Sequence, residues 1–252
     1  MDQTSDGVLY VATKADSYVE EAYRSAESVK RRYPSLPTTL FTDRPEHRQC
    51  STAVFDRVEY AVRSYGVVSR WAEGQLNRLR CLPRTPYART LHLDTDTLVL
   101  TSELPSLFDR LDRNEVAMVE TTVDDSYARY HLGLPMFNAG VILYRRTPRV
   151  WRWLAEWAAL SERNFRVAAR AHLPAMPFVD HVPEEGVRRK LLCMDQTSLT
   201  EIFSPAVNRF GLVYEVLDSA WNYRGPMPTP GAGRPVHILH APRPPRTPAV
   251  AV

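Results

Sequence analysis

The sequence predicts an α/β protein, a single domain with a mostly parallel central sheet flanked by helices. Three observations carry this. Short apolar runs alternate with segments of helical periodicity from the N-terminus onward. The 252 residues, 44% hydrophobic and 24% charged, suffice for one large core. No repeat or shift of composition divides the chain, so the domain is set at 1–245, with 246–252 as a flexible tail.

The run "GVLYVAT" (7–13) follows a glycine and reads as a buried first strand. In 17–33, Val19, Ala22, Tyr23, Ala26, Val29 and Tyr33 recur at helical spacing, and Pro34 ends the element. "TTLFTD" (38–43) is a second strand and "AVFDRVEY" (53–60) a weaker third. Strand, helix and strand at this spacing imply a right-handed βαβ unit, hence parallel pairing. A helix over 64–82 leads into "LHLDTDTLVL" (91–100); "EVAMVE" (115–120) and "FNAGVILYRR" (137–146) are further strands. An amphipathic helix spans 149–165, with Trp153 and Trp157 one turn apart and facing the core. One helix is expected over 189–204, then short strands in "GLVYEV" and "VHILHA".

Net charge is +3, and only three of the 32 basic residues, Lys14, Lys30 and Lys190, are lysines. The arginines are scattered without a basic run or interleaved aromatics, so no nucleic-acid partner is expected, while an anionic small ligand stays open. Cys50, Cys81 and Cys193 are widely spaced and read as reduced thiols. The N-terminus lacks a secretory pattern, and no run nears the ~18 apolar residues of a membrane span. A cytoplasmic location is the expectation.

"LHLDTDTLVL" places Asp94 and Asp96 one residue apart in an apolar run. Two such carboxylates repel unless a cation or shared proton relieves them. The pair is a metal clamp, a nucleophile with its acid partner, or a solvated turn. It follows a strand at its carboxyl end, where ligands of open α/β sheets bind. If the segment stays extended, both side chains share a face, about 7 Å apart. A haloacid-dehalogenase-type phosphatase would use Asp94 as nucleophile and Asp96 as acid. That motif belongs at a first strand, however, and Lys190 is the only downstream lysine.

The chain resembles glycosyltransferase family 8, the glycogenin and bacterial galactosyltransferase group, in several segments taken in order. "LHLDTDTLVL" with "SELPSLFD" (102–109) is similar to its DxD segment, and "VATKADSY" (11–18) to its first nucleotide-binding loop. "FTD" (41–43), "FNAGVIL" (137–143), "MDQTSLT" (194–200) and "VHILHAPRP" (236–244) continue the pattern. The resemblance covers most of 7–245 and implies a GT-A (Rossmann-like) enzyme. Such an enzyme moves a hexose (glucose, galactose or an N-acetyl form) from a UDP-sugar, with retention. The acceptor would be a sugar, a small-molecule aglycone or a peptide, bounded by loops 121–136 and 173–183.

The resemblance implies Asp94, Asp96 and His237 as ligands of a divalent metal; two carboxylates, an imidazole and phosphate oxygens suit Mn²⁺ better than Mg²⁺. It implies donor contacts from Val11, Ala12, Thr13, Thr95 and Arg78, with Tyr18 stacking on the base. Asn138 would face the sugar, with Gly140 allowing close approach. Asp195 and Gln196 would be the catalytic pair. Arg243 stands at the family's lysine, six residues after the histidine, and His240 replaces a glycine, where it would touch or disrupt the diphosphate. A degenerate member that binds nucleotide sugar without catalysis is the alternative of a different class.

Overall fold

The computed structural model describes residues 5–61, 69–121, 127–203, 208–225 and 235–240. In chain order the elements are β1 (Asp6–Ala12), α1 (Asp16–Lys30), β2 (Thr38–Thr42), β3 (Arg57–Tyr60), α2 (Arg70–Cys81), β4 (Arg89–Leu93), β5 (Thr97–Val99) and α3 (Leu104–Asp109). They continue with β6 (Val116–Glu120), α4 (Tyr127–Leu132), β7 (Phe137–Arg145), α5 (Pro148–Ala168), α6 (Glu185–Leu192), α7 (Asp195–Phe203), β8 (Tyr214–Leu217) and β9 (Ile238–His240).

Seven strands form one sheet in the order β3-β2-β1-β4-β7-β6-β8. All are parallel except β7, which runs antiparallel to both β4 and β6. The expected mostly parallel sheet is therefore what the chain builds. Both faces of the central strands are covered, which is why β2, β4, β6 and β7 are buried along their length, save at most one end residue each, instead of alternating. Val8, Tyr10, Ala12, Leu91 and Leu93 pack toward Val19, Ala22, Ala26 and Val29 of α1. Leu9, Ile142 and Tyr144 on the other face meet Leu79 of α2 and Trp153 and Trp157 of α5. Those two indoles stack with ring centroids 5.8 Å apart and are fully buried, as the sequence implies.

The chain winds outward through β1, β2 and β3, then returns to lay β4 against the opposite edge of β1. This reversal opens a crevice beyond the carboxyl ends of β1 and β4, the place where doubly wound sheets bind ligands. A small antiparallel pair, β5 with β9, roofs one side of it. It is tied to α1 where Ser25 Oγ lies 2.8 Å from Thr97 Oγ1 and Val99 N–H donates to Ser28 Oγ.

Two expectations change. The single helix over 189–204 is two, α6 and α7, broken at Cys193–Met194. The Gln75 side chain holds the break open: its amide donates to Cys193 O while its oxygen accepts from Asp195 N–H. Part of the loop 121–136 also forms α4. Among the described residues, no helix is long and apolar enough to cross a membrane.

Candidate functional site

Asp94, Thr95 and Asp96 do not continue the strand. They form a turn between β4 and β5, fixed where Asp94 N–H donates to Gly140 O and Thr97 Oγ1–H donates to Asp94 O. Both carboxylates then converge instead of standing about 7 Å apart. His240 Nε2 lies 3.2 Å from Asp96 Oδ1 and 3.8 Å from Asp94 Oδ2. One ligand atom from each of Asp94, Asp96 and His240 falls within a 4.8 Å spread, the only such cluster among the described residues. Gly140 makes room for it: a Cβ there would overlap the His240 ring and sit 2.8 Å from Asp94 Oδ2.

The histidine differs from the one the sequence pattern suggests. Antiparallel pairing sets Thr97 opposite His240 and Val99 opposite Ile238, so His240 lies beside the aspartate turn. His237 is three residues earlier, just before β9, about 10 Å away at ~3.3 Å per residue of extended chain. There its ring stacks on Trp221 at 4.2 Å, and its Nδ1 lies 3.0 Å from Thr101 Oγ1. The structure thus leaves His237 out of the cluster. His240, expected near the diphosphate, is brought into it.

His240 is itself oriented. Its Nδ1 lies 2.8 Å from Asn222 Oδ1, and both residues are buried. An amide oxygen only accepts, so Nδ1 carries a proton, and the ring is set with Nε2 turned toward the two carboxylates.

On the opposite wall Arg78, from α2, bridges two carboxylates. It donates to Asp94 Oδ1 at 2.5 Å and to Asp195 Oδ2. Burial alone would raise the Asp94 pKa; the Arg78 guanidinium, with His92 and His240, outweighs it and holds Asp94 well below the usual carboxylate range. Burial pushes His92 below the usual imidazole range despite Asp94 beside it. Asp195, at the first turn of α7, is pinned on its backbone by Gln75 and by Trp157 Nε1–H, which donates to its carbonyl at 2.8 Å. It is a buried, anchored carboxylate.

Three cavities meet here. One of about 270 Å³ runs from Val11, Thr13 and Tyr18 to Arg78 and the aspartate turn. A second, about 390 Å³, is walled by Asp94, Asp96, Asn138, Gly140, Gln196 and His240. A third, about 280 Å³, opens beyond Asn138. Of the sequence-derived residues, Val11, Thr13, Tyr18, Thr95 and Arg78 line the first cavity; Asn138, Gly140, Asp195, Gln196 and His240 line the second. Ala12 faces the core against α1 with its backbone paired to β2, so it lines none of the three. Arg243 and the tail lie outside the described residues. None of the three cavities is lined by 173–183; Val179 and Val182 pack instead on Leu191 and Leu192.

Sequence reasoning missed Gln75, Asn222, Trp71 and Arg224. Gln75 is one polar residue on a buried helix face, and Asn222 sits in no motif; only tertiary placement reveals them. Trp71, with an indole 53% exposed on a helix that otherwise buries its apolar groups, lines the first two cavities. The loop after β1 is also stiffer than "VATKADSY" suggests. Lys14 adopts φ 77°, its N–H donates to Asp43 Oδ1 at 3.1 Å, and Arg70 donates to its carbonyl. Asp43 is the last residue of "FTD".

No protein-family model matches the chain, and no curated protein matches it in sequence. Solved structures do. A galactosyltransferase, LgtC, in complex with donor and acceptor sugar analogues superposes with a TM-score of 0.56 at 17% identity, over 94% of this chain and 86% of that one. The bifunctional glycosyltransferase WbbM gives 0.54 at 17% identity, over 88% of this chain and 40% of its own. Mouse xyloside xylosyltransferase 1 gives 0.51 at 17%, over 93% and 97%. At such identity the likeness establishes the fold, the GT-A arrangement of these glycosyltransferases, over nearly the whole chain.

Proposed function

We propose that the chain is a metal-dependent glycosyltransferase that moves a hexose from a UDP-sugar to an acceptor hydroxyl, with retention of anomeric configuration. The observation that carries this is the Asp94–Asp96–His240 cluster on the wall between two connected cavities, with an Arg78–Asp195 pair facing it. The GT-A fold supports it.

The donor set fits a divalent cation: two carboxylate oxygens and one imidazole nitrogen converge, with His240 Nε2 turned inward by the Asn222 contact at Nδ1. Asp94, Asp96 and His240 would hold the ion, and this mixed oxygen and nitrogen set favours Mn²⁺ over Mg²⁺. When bound it supplies Lewis-acid stabilisation of the diphosphate leaving group.

The chain's own residues do the rest. Tyr18, Val11 and Thr13 take the nucleoside end of the donor in the 270 Å³ cavity. Arg78 keeps Asp94 ionised and holds both Asp94 and Asp195 in place. Asn138 and Gln196 offer amide groups to the sugar in the 390 Å³ cavity. Gln196 stabilises positive charge developing at the anomeric carbon. The acceptor oxygen bonds to that carbon as the carbon–phosphate oxygen bond breaks, and the acceptor proton passes to the departing phosphate oxygen. No covalent enzyme intermediate is needed. The phosphatase alternative is disfavoured because Arg78 engages Asp94, whose oxygen would have to attack.

The test is calorimetric titration of UDP with and without Mn²⁺ into wild type and Asp96→Ala. Mn²⁺-dependent binding that the variant loses is expected, followed by donor hydrolysis in a screen of UDP-hexoses. Binding of no nucleoside diphosphate would refute the reading. Metal-dependent binding with no turnover on any acceptor, water included, would mark a non-catalytic binder.

A further inference from the structure

We propose that Arg224 determines acceptor specificity and that the acceptor carries an anionic group beside the hydroxyl that is glycosylated. This rests on the transferase reading above.

The three cavities are ordered along the cleft by the residues they share. The 270 and 390 Å³ cavities have Arg78, Asp94 and Asp96 in common, so a diphosphate held at the aspartate turn places nucleoside and sugar on either side. The 390 and 280 Å³ cavities have only Asn138 and Arg224 in common. The 280 Å³ cavity contains none of Arg78, Asp94 or Asp96. It begins where the sugar ends, and a donor that fills the first two cavities leaves it for the acceptor.

Three arginines line these cavities, and two are committed. Arg70 donates to Lys14 O, and Arg78 is spent on Asp94 and Asp195. Arg224 is exposed and makes no hydrogen bond or ion pair among the described residues. It stands at the junction of sugar and acceptor spaces, where a guanidinium can take a carboxylate or phosphate through two parallel N–H donors. Glu120 lines the same 280 Å³ cavity and repels a second anion, while Thr121, Asn138 and Asn222 suit hydroxyls. The acceptor that fits is a hydroxylated molecule with one anionic group. A carboxylate and a phosphate ester share that chemistry.

The experiment uses the full chain saturated with UDP and Mn²⁺. Glucose, glucuronate and glucose 6-phosphate serve as a matched neutral, carboxylate and phosphate series, each titrated calorimetrically and, separately, tried as acceptors. The expected result is binding of an anionic member at least about tenfold tighter than glucose, as a charge-assisted hydrogen bond implies. Which anionic member binds tighter identifies the source. Arg224→Ala removes the preference and Arg224→Lys restores part of it, while UDP affinity stays unchanged. Equal or tighter binding of glucose, or a preference that survives Arg224→Ala, overturns the proposal and leaves the transferase reading standing. Loss of UDP affinity in Arg224→Ala also overturns it, placing the guanidinium on the donor. Failure of wild type to bind UDP with Mn²⁺ overturns both.

Discussion

Asn222 makes a sharp test of the candidate metal site, because it bears on the cluster only through His240. Its amide oxygen is the acceptor for His240 Nδ1, and that bond fixes which nitrogen faces Asp94 and Asp96. Asn222→Leu keeps the side chain's size and removes the acceptor. His240 can then rotate or change tautomer, and Nε2 ceases to be a reliable donor. Loss of such an outer-shell partner lowers metal affinity about 10- to 100-fold, or roughly 1.4–2.8 kcal/mol. The fold itself loses about 1–3 kcal/mol from the unsatisfied imidazole N–H. A thermal melt therefore accompanies the assay, a titration of the apo protein with Mn²⁺ followed by the electron paramagnetic resonance of the free ion. Asn222→Asp, which retains the acceptor, is expected to keep or strengthen binding. Mn²⁺ affinity unchanged in a folded Asn222→Leu protein would refute the assignment of His240 as an oriented ligand.

The other predictions separate neighbouring roles. His240→Ala should abolish measurable Mn²⁺ binding, whereas His237→Ala should leave it within about twofold and lower the melting temperature through lost stacking on Trp221; the reverse pattern would restore the register first suggested by the sequence. Arg78→Met should destabilise the fold by about 3–5 kcal/mol in urea, since it strands the buried Asp195 carboxylate and the half-buried Asp94, and a loss below about 1 kcal/mol would contradict the bridge. Gly140→Ala should fold yet bind Mn²⁺ at least tenfold more weakly, because the new methyl must displace Asp94 or His240. Asp94 has a depressed native pKa, so its stabilising effect is complete above the unfolded carboxylate range, near pH 4, and is lost as pH falls through the native value. The stability gap between wild type and Asp94→Asn should therefore be constant from about pH 5 to 7 and shrink on acidification; a gap that widens in acid would mean the sign is wrong.

The fold was legible where periodicity and burial agree. Val19, Ala22, Ala26 and Val29 recur at helical spacing because one face of α1 packs on the sheet. The strands read as unbroken apolar runs because both faces of the sheet are covered. Pairing direction was less legible: β7 is buried at every position but Arg145, as a parallel strand would be, yet it runs antiparallel between β4 and β6. The break between α6 and α7 was hidden too, since Cys193 and Met194 carry no helix-stopping chemistry. The stop comes from Gln75, about 120 residues earlier in the chain, which takes the backbone groups that would otherwise continue the helix.

The site shows the same division more sharply. Asp94 and Asp96 were legible because two carboxylates in an apolar run need a partner, and the chain supplies a guanidinium on one side and an imidazole on the other. Arg78 answers Asp94 from α2, while His240 approaches both from β9. Which histidine answers was not legible. In "VHILH" either ring can lie at the end of a short strand, and a motif counted from one histidine shifts every later residue by three. The β5–β9 register decides it, and that register depends on Thr97 docking against Ser25 of α1 and Val99 N–H against Ser28. A one-residue slip would turn His240 to the other face. The two serines of α1, read from sequence as ordinary helix positions, thus help place the imidazole that completes the Asp94–Asp96–His240 cluster.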